Sequence, residues 1–394
     1  MNKGVFWVFS LMILLFLGLS SCNEKKERRI LVVHSYENTN ASYPDFDRMI
    51  AAQFKKENIH PDIRTLYLDC ESYQEGPELQ RMLFLVDSVS KGWQPEIILV
   101  NEDQATYSLL KCGAPLVKNV PIVFAGVNYP NWNLLKEFSN VTGFQDKIDF
   151  VENVNVAKEL FGEKIQLFTI LDSTYLDMQI RMDIKKQCKG HKITGITDFL
   201  ELSPHQRYEL FTNKGYTYFY TIPARTGREK VDASLMWSIS KYGKNRCYVQ
   251  MKRDFTTVNI GNMCASPSLT MINEAFGYSE KLLGGYITTL PIQVEEEVKA
   301  AVQILNGRRP SDMPIVESRK EYVIDWKVMQ QLGVKKSEIP IRYKIIHIPL
   351  NAQYPILWTA SIVAIVILLC TLFASLLWLY LREQKRKKNA LIAL

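Results

Sequence analysis

The sequence predicts an α/β protein: two lobes, each a parallel sheet covered by helices, followed by a transmembrane helix. Three observations predict it. Short continuous apolar runs alternate with stretches whose apolar residues recur every three or four positions. This alternation restarts once, after a break around residues 142–155. Finally, Ile356–Leu381 holds 26 residues without one charge.

That last stretch organises the rest. A helix rises about 1.5 Å per residue and a bilayer core is about 30 Å thick, so roughly 20 apolar residues suffice to cross. Trp358 near one end, and Trp378 and Tyr380 near the other, sit where interfacial aromatics belong. Arg382-Glu383-Gln384-Lys385-Arg386-Lys387-Lys388 follows directly, and such a basic run marks the cytoplasmic side. The expected location is a bacterial cell envelope, with an inner-membrane protein whose residues 23–355 lie outside and 382–394 inside. A buried helix of a soluble protein is the competing reading. So long an uncharged run ending in a basic cluster speaks against it.

The formal charge of +7 over 394 residues is concentrated at the ends, on Lys3 and the run 382–388. The remainder is nearly neutral and lacks the clustered basic residues of a nucleic-acid surface, so no nucleic-acid partner is expected. Lys3 and the apolar run Val5–Leu19 read as an export signal. It closes with Leu19-Ser20-Ser21-Cys22, which resembles a bacterial lipobox, whose cysteine is lipidated after cleavage. Lipidation of Cys22, ordinary cleavage and an uncleaved anchor all place residue 23 onward on the outer face.

Of seven cysteines, Cys22 belongs to the signal and Cys370 to the membrane helix. Cys70, Cys112, Cys188, Cys247 and Cys264 remain, an odd number without a C-x-x-C pair. A zinc site or redox dithiol is therefore unsupported, and no metal or cofactor is expected. Buried free thiols are the simpler reading; a disulfide is compatible with an oxidising compartment.

Glu24–Arg29 is a charged tether, and Ile30–His34 is a strand buried on both faces. Ser42 is placed to cap a helix over residues 43–58, with Pro44 and Asp45 in its first turn and Phe46, Ile50 and Phe54 on one face. Strands follow at 62–68, 96–100 and 121–125, with a helix marked by Leu79, Met82, Leu83, Val86 and Val89. After the break come strands at 164–171, 193–199, 216–222 and 246–250, and helices at 175–188 and 228–242. A helix over 294–305 stops at Asn306-Gly307, and Pro310 prevents its restart.

Several pieces are recognisable. They are Val32-Val33-His34-Ser35-Tyr36, Val100-Asn101-Glu102-Asp103 and Val120-Pro121-Ile122-Val123-Phe124-Ala125-Gly126-Val127-Asn128. Then come Gly284-Gly285, Ile304-Leu305-Asn306-Gly307, Arg309-Pro310-Ser311-Asp312-Met313-Pro314, and Asp325-Trp326 with Leu332-Gly333-Val334. In order over residues 30–343, they resemble the type I periplasmic binding-protein family, in the branch used by ABC-transporter solute receptors and by sensor domains of bacterial histidine kinases. The resemblance implies two Rossmann-like lobes joined by crossing strands, with a small-molecule ligand in the cleft. It divides the chain into a signal at 1–22, lobe 1 at 30–145 with 308–345 returning to it, and lobe 2 at 146–307. A connector at 346–355, a spanning helix at 356–381 and a cytoplasmic start of a signalling helix at 382–394 complete it.

Ligands of open parallel sheets sit beyond the carboxyl ends of strands. Those ends offer Ser35, Tyr36, Asn101, Glu102, Asp103, Gly126, Val127 and Asn128 in lobe 1, and Asp172, Ser173, Thr174 and Thr221 in lobe 2. Glu102, Asp103 and Asp172 are of the type to accept from an amino group, and Tyr36 and Tyr129 to pack on a ring, so an amino-acid-like or other small polar solute is expected. The bland alternatives are that Asp103 and Asp172 cap helices and that Asn128 shapes a turn. Catalysis finds little support. His34, His60, His191, His205 and His347 are scattered, and no G-x-S-x-G, P-loop or G-x-G-x-x-G occurs. Three functions follow in order of support. The first is the sensing domain of a homodimeric membrane histidine kinase, which reaches a response regulator only through a downstream kinase module. The second is a membrane-tethered receptor of an ABC importer. The third is an envelope enzyme.

Overall fold

A computed structural model of the chain describes residues 27–70, 75–161, 167–169, 175–189, 196–198, 232–235, 249–253, 256–259, 268–273, 276–278, 282–331 and 334–392. Cys22, Asp172, Ser173, Thr174 and Thr221 lie outside the described residues.

The first sheet starts with β1 (Arg28–His34), α1 (Tyr43–Lys56), β2 (Pro61–Tyr67), α2 (Glu75–Ser90), β3 (Ile97–Asn101), α3 (Asp103–Lys111), β4 (Ile122–Val127) and β5 (Val141–Gln145). The expected break at 142–155 thus contains a strand: Val141 and Thr142 are β-branched, buried and paired with β4. Then come α4 (Phe150–Phe161), β6 (Leu167–Thr169), α5 (Tyr175–Gln187), β7 (Ile196–Asp198), β8 (Asp232–Leu235), β9 (Val249–Arg253), β10 (Thr256–Asn259), β11 (Ser268–Leu269) and β12 (Leu282–Ile287). The chain continues through α6 (Leu290–Leu305), β13 (Val316–Glu317), β14 (Glu321–Asp325), α7 (Trp326–Gln331), β15 (Lys344–Ile346) and α8 (Pro355–Ile392).

The first sheet is ordered β13-β5-β4-β3-β1-β2 and is parallel at every pairing. Ile30–Val33 and Ile97–Val100 are fully buried, as continuous apolar strands between helices must be. α1 packs with α6, and α2 with α3. Ser42 makes no capping bond to α1; its hydroxyl donates to Asn40 Oδ1 at 2.8 Å, while Pro44 occupies the first turn.

The second half departs from a purely parallel lobe. β6 and β7 pair in parallel, but β8, β9 and β10 form an antiparallel sheet, and β8 lies where a helix over 228–242 was expected, while β9 overlaps the strand expected at 246–250. β9 and β10 pair with each other in antiparallel register, Thr256 against Arg253 through Asn259 against Gln250. A four-strand sheet, β11-β12-β14-β15, is mixed. β12 and β14 are antiparallel because the chain leaves along one and returns along the other. Their close approach explains Gly284-Gly285. A Cβ on Gly284 would stand 2.1 Å from the Val323 carbonyl oxygen, and one on Gly285 would stand 2.4 Å from that of Thr270.

Two hydrophobic cores result. The first gathers β1–β5, α1–α3 and the apolar face of α6: Leu290, Val294, Val298, Ala301 and Ile304. The second gathers α4, α5, β12, β14 and α7, with Tyr343. Helix α6 thus packs with the first core and strands β14 and β15 with the second, the reverse of the division expected from sequence for 290–307 and 321–345. The chain passes between cores three times, at 146–149, 288–289 and 318–320. Helix α8 is exposed throughout, and its first 35 residues, Pro355–Asn389, have mean hydropathy 2.8 over the best window. It is long and apolar enough to cross a membrane. Cys112 and Cys188 are free, buried thiols, and Cys70 is buried as well.

Candidate functional site

The first sheet reverses direction between β1 and β3: the chain steps outward to β2, then returns past β1. Beyond the carboxyl ends of strands at such a switch point, helices diverge and leave a crevice. A cleft is found there, with a cavity volume of about 50 Å³. Tyr36 and Asn40 reach it from the turn after β1, with Ser42 and Phe46 at the start of α1. Glu102 reaches it after β3, Gly126 and Asn128 at the end of β4, and Asp146 after β5. Helix α6 contributes Leu290 and Gln293, and the second core contributes Ile272 and Asn273.

Four of the expected residues therefore line the cleft: Tyr36, Glu102, Gly126 and Asn128. The other four described ones lie behind it. Ser35 is fully buried; its Oγ donates to the Asn101 carbonyl and accepts from the Ala105 N–H, both at 2.9 Å. It clamps β1 to the start of α3. Asn101 is also fully buried, and its Oδ1 accepts from Gln293 Nε2 at 3.2 Å. Val127 is core.

Asp103 is the first residue of α3. Its carboxylate reaches across to the loop after β4, accepting from Asn128 N–H at 2.9 Å and Tyr129 N–H at 3.2 Å. Burial pushes this carboxyl up, and the Asn128, Tyr129 and Tyr107 donors pull it back down. Asn128 in turn donates from Nδ2 to the Asp146 carbonyl at 2.8 Å, so the loop is fixed from both sides. Tyr129 points away, its hydroxyl donating to Asp183 at 3.1 Å. Asp103→Ala is expected to leave two buried donors unsatisfied at a cost of about 1–3 kcal/mol each. Amide hydrogen exchange read by mass spectrometry should then show lost protection at residues 127–130, and unchanged protection there would count against this role.

Two features shape the cleft itself. Gly126 has φ +70°, and a Cβ there would stand 2.9 Å from Gln293 Nε2. Glu102 adopts φ 73° and ψ 169°, a region that side-chain-bearing residues rarely occupy. Its Oε2 accepts from the Tyr43 hydroxyl at 3.2 Å. Tyr43 is stacked on His34 with ring centroids 4.1 Å apart. His34 Nε2 meets Asp47 Oδ1 at 3.1 Å, and Tyr67 donates to the other Asp47 oxygen at 2.9 Å.

Sequence reasoning missed Asp146 and Gln293. Asp146 follows a strand just as Glu102 does, but that strand lay in the supposed break. Gln293 was legible as a polar residue within the apolar stripe Leu290, Val294, Val298. Burial raises the Asp146 carboxyl to about 6. Asp146, Thr288 and Ser318 are each buried and each lie where the chain passes between cores.

No family model matches the chain, and no curated protein matches it. Solved structures do. A conserved domain protein from Vibrio cholerae O1 biovar El Tor superposes with TM-score 0.52 at 14% identity, covering 81% of this chain and 99% of that one. A domain from Streptococcus pneumoniae described as an ABC domain in complex with L-Trp gives 0.52 at 15% identity, covering 80% and 99%. The ligand-free, open structure of a substrate-binding protein with adhesive properties from Clostridium difficile gives 0.50 at 13% identity, covering 81% and 99%.

The fold is that of the type I periplasmic binding proteins. In this periplasmic binding-protein fold, three chain passages form the hinge, and the two lobes share the cleft above it. A side-chain contact also bridges the lobes directly: Tyr278 donates to Asp45 Oδ2 at 2.8 Å.

Proposed function

We propose that this chain is the extracytoplasmic ligand-sensing portion of a two-component histidine kinase, with a small-molecule ligand in the inter-lobe cleft and the signal passed through α8. The supporting observation is mechanical. Only His347–Tyr354 separate β15 from α8, and β15 is hydrogen-bonded into the second sheet. His347 Nδ1 meets Asp325 Oδ2 at 2.7 Å, and Arg342 meets Glu159 at 2.6 Å, so the connector is tied to the second core. Motion of one lobe against the other is then motion against the membrane helix. Ligand favours closure because only closure completes contacts from both walls, and equal affinity for both states would shift nothing. In a homodimer, closure changes the spacing of the paired segments 382–394. A kinase module would carry that change to a response regulator.

The second reading is a membrane-tethered substrate-binding protein of an ABC importer. The descriptions of two of the structural neighbours support it. Spin labels at Lys388→Cys, in full-length chain embedded in nanodiscs, separate the two readings. The probe is the solute pool released from the denatured protein. Sensing predicts a shift of several ångströms in the label–label distance when that pool is added. A tether predicts no shift, and would instead be matched by solute-dependent capture of a permease.

A further inference from the structure

We infer that the cleft selects a ligand carrying positive charge, an organic amine or amidine with an apolar part, and discriminates against anions. This rests on the cleft being the ligand site. Among the described residues, its lining holds two carboxylates, Glu102 and Asp146, and no Lys, Arg or His. Phe46 and Tyr36 also line it, and aromatic rings attract cations as well as apolar surface.

The floor adds an independent observation. Asp146 is 6% exposed, and Thr288 beside it is 1% exposed. Thr288 acts on the Asp146 carboxyl to lower its pKa, against the larger upward push of burial. The other charges acting on Asp146 are Lys320 of opposite sign and Asp103 and Glu296 of like sign, so like charges outnumber the one cation. A carboxylate drawn out of water is costly unless an opposite charge meets it. Glu102 sharpens the point. Its backbone is held in a conformation nearly reserved for glycine, yet it carries a carboxylate at the cleft wall. An incoming cation would be attracted by both carboxylates, and an incoming anion repelled by both.

Charged thiol reagents and a matched set of ring compounds test the inference. Asn273→Cys places a thiol on the cleft wall of the full-length chain in detergent. Its modification rate is measured with a trimethylammonium-ethyl and a sulfonato-ethyl methanethiosulfonate, after subtraction of the parent chain's rate. The cation:anion rate ratio should exceed that of a free thiol in solution by about tenfold, as fields in a one-signed cleft allow. Glu102→Gln should reduce that excess. A ratio at or below the solution value overturns the inference. A second arm holds the ring constant: tryptamine, tryptophan and indole-3-acetate are titrated by calorimetry. Tryptamine should bind tightest, with affinity falling about tenfold in Glu102→Gln; tightest binding by indole-3-acetate overturns the inference as well. The cleft reading fails separately. If solute released from denatured protein gives Asn273→Cys no protection, the site is elsewhere whatever the charge ratio.

Discussion

Gly284→Ala is expected to cost about 3–5 kcal/mol, the sum of a strained backbone and an overpacked contact. The residue sits at φ +109°, which a side chain rarely tolerates. Its new Cβ would lie 2.1 Å from the Val323 carbonyl oxygen and 3.0 Å from Phe276. The obstacle is backbone of the paired strand, so no rotamer change relieves it. Either β12 moves away from β14, or their ladder breaks. Both strands belong to the second core and both lead to the hinge, so the damage reaches the connection between lobes. Gly307→Ala is the control. It too has positive φ, +101°, but nothing lies within 4 Å of its Cβ. Its cost should be about 1 kcal/mol, from conformation alone. Thermal unfolding of the detergent-purified chain measures both. Gly284→Ala should melt on the order of 10 °C lower, and Gly307→Ala only a few degrees lower. Equal shifts for the two would sink the argument from close strand contact.

Glu297→Met is expected to stabilise the protein, increasingly so as pH rises. Glu297 lies on the buried face of α6, fully inaccessible, and neither carboxyl oxygen has a hydrogen-bond partner. Burial alone holds this carboxyl well above its ordinary 4.5. The sign follows. Below pH 4.5 both the folded and unfolded chains hold the proton, and nothing is lost. Above it the unfolded chain releases the proton while the folded chain keeps it, so stability falls by up to about 1.4 kcal/mol per pH unit. Asp146 adds a slope of the same sign between its ordinary 3.8 and about 6. His34 acts at the acid side. Burial lowers its folded pKa below 6.5 against the pull of Asp47, so its contribution is present above 6.5 and is lost as pH falls. Methionine keeps the length and helix preference of glutamate without the charge. Denaturant unfolding from pH 5 to pH 8 should show a gain for Glu297→Met that widens with pH, and a constant gain would refute the ionisation account. Sites this costly persist where specificity or function requires them, and Glu297 stands one turn from Gln293 at the cleft.

Much of this was legible in the chain. The strands at Ile30–Val33 and Ile97–Val100 announced themselves because strands covered on both faces are apolar without interruption. The long apolar helix α8 was legible because an uninterrupted run without charge declares itself in the chain. The place of Tyr36, Glu102, Gly126 and Asn128 at a cleft followed from the rule that crevices open beyond the carboxyl ends of parallel strands. These are local signals, carried by neighbours in sequence. The roles of Ser35 and Asp103 were not legible. Both stand at strand ends like Glu102, yet one closes on the Asn101 carbonyl and the Ala105 N–H, and the other on the loop after β4. Sequence places a polar residue at an edge, but only packing decides which side of the loop its side chain faces. Asp146 was hidden because a short strand ending in two partly exposed positions reads as a break until its partners are known. Which core claims α6, β14 and β15 is a question of long-range contact. Helix α6 packs on β3 and β4, far from it in sequence, and amphipathicity names a buried face without naming its partner. The sequence by itself determined the fold class, the long apolar C-terminal helix and the wall of the cleft that lies at strand ends. The tertiary structure alone decided where the lobes divide, which carboxylates face the cleft and which are locked behind it, because those depend on contacts that local chemistry does not specify.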